Sequence, residues 1–149
     1  TPSPMIYTAR TVRRKYPDAA TVFIGPCIAK RHEAAQSGEV DYVLSFEEIG
    51  AMLAGRGIDV IAQEAEVLRE PAIDIARKFA ASGGVAAAVQ AELSRKSPDF
   101  ELKPQAVNGI DKKTKAILKA HAAGRLGANF VEVMACEGGC VKGPGAIRR

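Results

Sequence analysis

The run Phe130-Val-Glu-Val-Met134 has the aromatic and β-branched content of a short strand, and just beyond it lies a cysteine beside two glycines. The whole stretch, Asn129 to Gly145, reads Asn-Phe-Val-Glu-Val-Met-Ala-Cys-Glu-Gly-Gly-Cys-Val-Lys-Gly-Pro-Gly, so Cys136 and Cys140 fall past the strand's C-terminal end. No other feature constrains the chain as tightly, because in an open parallel sheet that end is where ligands bind. Gly138 and Gly139 accept positive φ, which lets successive N–H groups turn inward around an anion. Two thiolates beside such a concavity suit an anionic metal cluster. Two reduced, buried cysteines in a tight turn fit the same spacing, since C-x-x-x-C without a second pair is a weak signal.

The same order of features occurs earlier. Ala20-Thr-Val-Phe-Ile24 is a continuous β-prone run, Gly25-Pro26 closes it, and Cys27 follows at once. Before it, Ser3-Pro4 predicts extended or turn backbone, then Met5, Ala9 and Val12 predict a helix over 5–15, ended by Tyr16-Pro17-Asp18. After it come a short helix over 28–37, ending near Gly38, and a short strand over 41–44. Ser45 and Glu48 have capping-box spacing, and Phe46, Ile49 and Leu53 line one face of the helix they open, which Gly55 and Gly57 end. Residues 58–69 alternate briefly at Ile58, Val60 and Ala62, then turn acidic and irregular.

Pro71 suits the first position of a helix with Ala72, Ile75, Ala76 and Phe79 on one face, broken at Ser82-Gly83-Gly84. Val85, Val89 and Leu93 mark a helix to Lys96, whose N-terminal N–H groups suit either an anion or plain helix packing. The segment 100–107 reads as a strand interrupted by Pro104, hence an edge, followed by an Asn108-Gly109 turn. Asp111 caps a helix through Ala123 with Ile117 and Ala120 inward, and Gly124 and Gly127 lead into the last strand. Strands alternating with helices predict one α/β domain over 1–149, with a mostly parallel four-stranded sheet flanked by helices.

Few aromatics and no Trp argue against a surface for stacking bases, and no stretch approaches the roughly 20 apolar residues of a membrane span. Lys112, Lys113, Lys115 and Lys119 read as a solvated helix face, and Arg10, Arg13, Arg14 and Lys15 as a basic turn that also suits an acidic redox partner. An odd cysteine count and no leader peptide predict a reducing, cytoplasmic location without a disulfide framework. A start without Met and an end after Gly-Pro-Gly are read as a fragment of something longer.

Residues just beyond the ends of neighbouring parallel strands converge, so Cys27, Cys136 and Cys140 are expected along one sheet edge. Iron–sulfur clusters and structural zinc both want four ligands, and three cysteines leave one to a missing segment or a partner. His32, five residues after Cys27, and His121, at a helix boundary, do not complete a zinc set. Lys30, one turn beyond Cys27, suits either donation to an anionic group at the metal or plain exposure. Glu132 and Glu137 read as surface carboxylates, with proton transfer as the alternative.

Gly25-Pro-Cys-Ile-Ala-Lys30 resembles the P-C-x-x-K motif of the [FeFe]-hydrogenase large subunit, and Glu132-Val-Met-Ala-Cys-Glu-Gly-Gly-Cys-Val-Lys-Gly-Pro-Gly145 resembles its final E-x-M-A-C-x-x-G-C-x-x-G motif. Ser3-Pro4-Met5, Phe46-Glu-Glu and Ser82-Gly-Gly-Val85 resemble further segments of that family in the same order. The resemblance implies the second lobe of the iron-only hydrogenase fold and an H-cluster, a [4Fe–4S] cubane joined through cysteine to a diiron subsite carrying CO, cyanide and a dithiolate. It implies that Cys27 and Cys136 ligate the cubane, Cys140 bridges to the diiron subsite, and Gly138 and Gly139 offer backbone N–H groups to cluster sulfurs. Lys30 would donate toward a cyanide, Met134 would pack near the diiron subsite, and Ser3 would match a serine of the proton path.

The implied reaction is 2 H+ + 2 e− = H2 in the full-length parent. Implied partners are the missing N-terminal lobe and a ferredoxin-type carrier or upstream iron–sulfur domains, with no nucleic acid and no membrane span. The isolated chain is expected to be inactive and without complete cofactor. The family's T-S-C-C-P motif would precede Thr1, Gly25 stands where the family has a methionine, Glu137 replaces a proline, and Gly143-Pro-Gly-Ala-Ile departs from G-G-G-Q-P. These departures suit a divergent branch, so a non-catalytic hydrogen or redox sensor is the alternative, and a simple zinc fold is a third.

Overall fold

Ser3 is extended (φ −67°, ψ 161°) and Pro4, with φ already helical, is the first residue of α1 (Pro4–Lys15), so the dipeptide begins the helix rather than preceding it. The structure is a computed structural model and describes residues 2–67 and 71–147. The chain divides into two compact units, Thr1–Ala65 with Gly143–Arg149, and Glu66–Lys142.

In the first unit α1 is followed by β1 (Val22–Ile24), α2 (Ala29–Ser37), β2 (Tyr42–Leu44) and α3 (Phe46–Gly55). β1 and β2 pair in parallel, Phe23 opposite Val43, with α2 as the crossover that parallel pairing requires. Gly38 makes the turn out of α2 in the left-handed region (φ 63°), its N–H bonded to the Ala34 carbonyl at 2.9 Å. Met5, Ile6 and Ala9 of α1 pack with Ala34 and Val40 into a core that Phe23 and Val43 flank. Val12, at helical spacing from Met5 and Ala9, is 37% exposed, whereas Ile6 is buried.

Asp41 ties the two strands at their start, accepting from the Thr21 N–H and hydroxyl (both 2.7 Å) and from Arg13 (3.1 Å). The predicted capping box is present: Ser45 Oγ accepts from the Glu48 N–H (3.1 Å), and Glu48 accepts from the Ser45 N–H (2.7 Å). The chain's last segment belongs to this unit. Gly145 donates to the Pro26 carbonyl (2.9 Å) and accepts from the Phe46 N–H (3.1 Å), joining the end of β1 to the start of α3.

The second unit holds α4 (Asp74–Lys78), α5 (Gly84–Lys96), β3 (Pro104–Asn108), α6 (Lys112–Ala122), β4 (Phe130–Met134) and a 3-10 turn (Cys140–Lys142). β3 and β4 pair in parallel over five residues, Pro104 opposite Phe130 to Asn108 opposite Met134, and α6 crosses between them. Val107 is the most deeply buried side chain, 1% exposed. Asp111 and Thr114 form a reciprocal cap on α6, with the Thr114 N–H bonded to Asp111 at 2.7 Å.

Two prolines act differently from their sequence reading. Pro71 lies before its helix, which starts at Asp74 with Ile73 as cap, and Pro104 opens β3 instead of interrupting it, where its missing N–H costs the ladder least. Residues 68–70, the end of the acidic stretch, lie outside the described residues. The α/β class and parallel pairing agree with the sequence reading. The four strands expected in one sheet are paired, among the described residues, as two two-stranded sheets, each one β-α-β unit. No helix among the described residues is long and apolar enough to cross a membrane.

Candidate metal centre

β4 alternates so that Glu132 and Met134 face inward, 4% and 8% exposed, while Val133 between them is 47% exposed. The strand's last carbonyl, Met134, accepts from Gly109 N–H (2.8 Å), and the chain turns away into Cys136–Cys140. Gly138 and Gly139 both have positive φ, 85° and 94°, as anticipated. Their N–H groups have partners within the unit: Gly138 donates to Asn108 Oδ1 (2.7 Å), and Gly139 to the Cys136 carbonyl (3.0 Å). Both glycines shape the loop by their positive φ, and Gly139 also allows a close backbone approach. A Cβ on Gly139 would lie 2.5 Å from the Ala80 oxygen and 2.6 Å from the Ser82 nitrogen.

That approach joins the cysteine loop to residues 80–82. Ala81 and Gly139 form an antiparallel bridge, Ser82 N–H donates to the Gly138 carbonyl (3.3 Å), and Val141 N–H to the Ala80 carbonyl (3.2 Å). Cys136 and Cys140 are half-buried, and Cys140 Sγ lies 3.9 Å from Met134 Sδ. The donors gathered here are soft sulfurs, the set that suits iron–sulfur chemistry better than a hard cation. Glu137 on the same loop is exposed, as anticipated.

Glu132 departs from its reading as a surface carboxylate. It is buried, and it accepts from the Gly83 N–H through Oε1 (2.7 Å) and the Ala86 N–H through Oε2 (2.8 Å). The N-terminus of α5, read as a possible anion site, therefore already holds an anion of the chain's own. Period-two alternation places residue 132 on the face of Met134, and that is the signal by which its burial was open to being read from sequence.

In the first unit, Cys27 is half-buried between the β1 end and α2, and its carbonyl accepts from the Lys30 N–H (3.3 Å). The Lys30 ammonium is ion-paired with Glu33, one turn along α2. Burial pushes the Glu33 carboxyl up, but the hydrogen bond and charge of Lys30, with the Ser3 hydroxyl nearby, outweigh that and hold it below the ordinary range; Ser3 Oγ is buried without a hydrogen-bond partner. Ser3 and Lys30, singled out separately in the sequence, thus meet around a carboxylate that was not singled out. Its i+3 spacing from Lys30 was the available signal. Gly25, where the resembling family has a methionine, has the Phe23 ring against it, 2.8 Å from where a Cβ would stand.

Cys27 belongs to the first unit, and Met134, Cys136, Gly138, Gly139 and Cys140 to the second. Within either unit, the described residues contain no group of three or more His, Cys, Asp or Glu side chains set to hold a metal ion. His32 is exposed and His121 half-buried, its Nδ1 without a partner.

A family model described as iron only hydrogenase large subunit, C-terminal domain, matches residues 1–144. No curated protein matches the sequence. Among solved structures, an [FeFe]-hydrogenase whose oxygen inactivation starts with modification and degradation of the H cluster 2Fe subcluster is similar at TM-score 0.65 and 18% identity, over 97% of this chain and 53% of that one. A HydA(deltaEFG) structure concerned with stepwise [FeFe]-hydrogenase H-cluster assembly is similar at TM-score 0.63 and 19% identity, over 97% of this chain and 54% of that one. At such identities the likeness is one of fold, and the chain spans about half the length of these solved relatives. By the family match over nearly its whole length, the chain belongs to the family of C-terminal domains of iron-only hydrogenase large subunits.

Proposed function

We propose that this chain supplies part of an H-cluster site in a full-length parent that interconverts protons, electrons and H2. The family match over residues 1–144 carries this reading. Cys27 and Cys136 would hold its cubane as thiolate ligands, and Cys140 would be a further thiolate ligand toward the diiron subsite. Met134, whose sulfur already neighbours Cys140, packs against the diiron subsite. Gly138 and Gly139 contribute the positive φ, and Gly139 the close backbone approach, that hold the cysteine loop in shape. When bound, the cluster would supply the redox chemistry by which protons, electrons and H2 are interconverted.

The chain's own polar groups hold and move charge around it. Glu33, ion-paired with Lys30, limits where its ammonium can point, and from there Lys30 would donate to an anionic group at the metal. Ser3, beside Glu33, is a proton-path hydroxyl. Remaining ligands and the electron route, through a ferredoxin-type carrier or further iron–sulfur domains, come from elsewhere in the parent, which we place in the cytoplasm.

A specific observation favours a second reading, in which the parent senses hydrogen or redox state without fast turnover. The Phe23 ring occupies the space at Gly25 where the family has a methionine, which changes the side chain offered at that position. The full-length parent, matured anaerobically and assayed for H2 evolution with a reduced dye, tests both. Infrared CO and cyanide bands together with gas are expected. Bands without gas would replace the enzyme with the sensor, and zinc without iron after anaerobic reconstitution would overturn both.

A further inference from the structure

We propose that Glu132 is a positioning residue for the Cys136–Cys140 loop, acting through the first turn of α5. This deepens the proposed cluster site and rests on it only in naming what the loop holds. The carboxylate is buried and receives two charge-assisted hydrogen bonds, from the Gly83 and Ala86 N–H groups. A helix cap alone needs no such reach. The cap position, Gly83, has no side chain, and the carboxylate comes instead from a strand 49 residues on in sequence (|i−j| = 49).

What the long reach accomplishes is visible on the other side of the same turn. Residues 80–82 carry the bridge to Gly139 and the hydrogen bonds to Gly138 and Val141. There is no slack in this chain of contacts. A Cβ on Gly84 would stand 2.1 Å from the Lys78 oxygen, and one on Gly139 2.5 Å from the Ala80 oxygen. Backbone therefore bears on backbone at both ends of the turn, and a displacement of residues 82–84 passes to residues 138–141. One strand thus sets both sides of the loop: its end launches the cysteines, and its buried carboxylate clamps the turn that the cysteines lean on.

Glutamine at 132 keeps the shape but has one acceptor, and its amide sets N–H against N–H at Gly83 or Ala86. In the full 149-residue chain without metal, E132Q is expected to raise the alkylation rates of Cys136 and Cys140 about tenfold, as loss of a charge-assisted hydrogen bond makes local opening easier. Cys27, in the other unit, is the internal reference and should change less than about twofold. Hydrogen exchange should quicken at Gly83 and Ala86 and, with them, at Ser82 and Val141. E137Q removes an exposed, screened charge from the loop itself and should raise these rates less than about twofold, which separates positioning from a change in thiolate fraction.

Unchanged Cys136 and Cys140 rates in E132Q, with faster exchange confined to Gly83 and Ala86, would overturn the proposal and leave Glu132 a helix cap. An equal rise at all three cysteines would mean general unfolding. In that case E132D, which keeps the charge but shortens the reach, is decided by the same comparison with Cys27. Failure of the wild-type parent to take up iron would count against the cluster reading while leaving this thiol comparison to stand or fall by itself.

Discussion

Gly139 is closed to a side chain for two separate reasons, its φ of 94° and its contact with the backbone of residues 80–82. Gly138 shares only the first, since a Cβ there meets the flexible Lys142 side chain. G139A is therefore expected to cost about 2–4 kcal/mol and G138A about 1 kcal/mol, measured by denaturant unfolding. Equal effects would mean that positive φ alone decides both. The positive φ of both glycines was legible because paired glycines just past a short β-prone run mark a tight turn. Glu132 and Glu33 were not, because a carboxylate looks solvated until the groups that satisfy it are known, and those of Glu132 come from a distant segment.

Local chemistry made some elements readable and left others open. The Ser45–Glu48 and Asp111–Thr114 caps needed only residues three apart, and both helices start where those pairs predict. S45A is expected to lower stability by about 1 kcal/mol, read as a shift in unfolding midpoint. Pro71 and Pro104 were ambiguous because proline suits a helix start, a strand start or neither, and only surrounding packing decides.

On α5, hydrogen bonds from Arg95 and Lys96, aided by their charges, hold the Glu92 carboxyl down to about 2 from an ordinary 4.5. Since the folded value is the lower one, this contribution is complete above pH 4.5 and disappears as pH falls toward 2. Carboxyl carbon NMR of the folded chain should show that low midpoint, and R95A should move it upward. A Glu92 midpoint at the ordinary value would show that the ion pairs do not persist in solution.

For the whole molecule, alternation of strand and helix sufficed for the α/β class and for parallel pairing, because short strands separated by helices have few other ways to pair. The division into two units left only a faint mark in composition. Its boundary at Ala65 falls in an acidic stretch without regular structure, while the other, at Lys142, interrupts the most recognisable motif in the chain. C140A in the full-length parent is expected to abolish the infrared bands of the diiron subsite while Cys136 still binds iron. Retained bands would remove Cys140 from its assigned role.

Because Gly145 spans Pro26 and Phe46, the opening unit is completed by a segment that follows the whole of the second unit in sequence. A stop codon after Lys142 should accordingly leave the later-made unit protected against protease and its earlier-made neighbour open to cleavage, with α3 losing its grip on the β1 exit first.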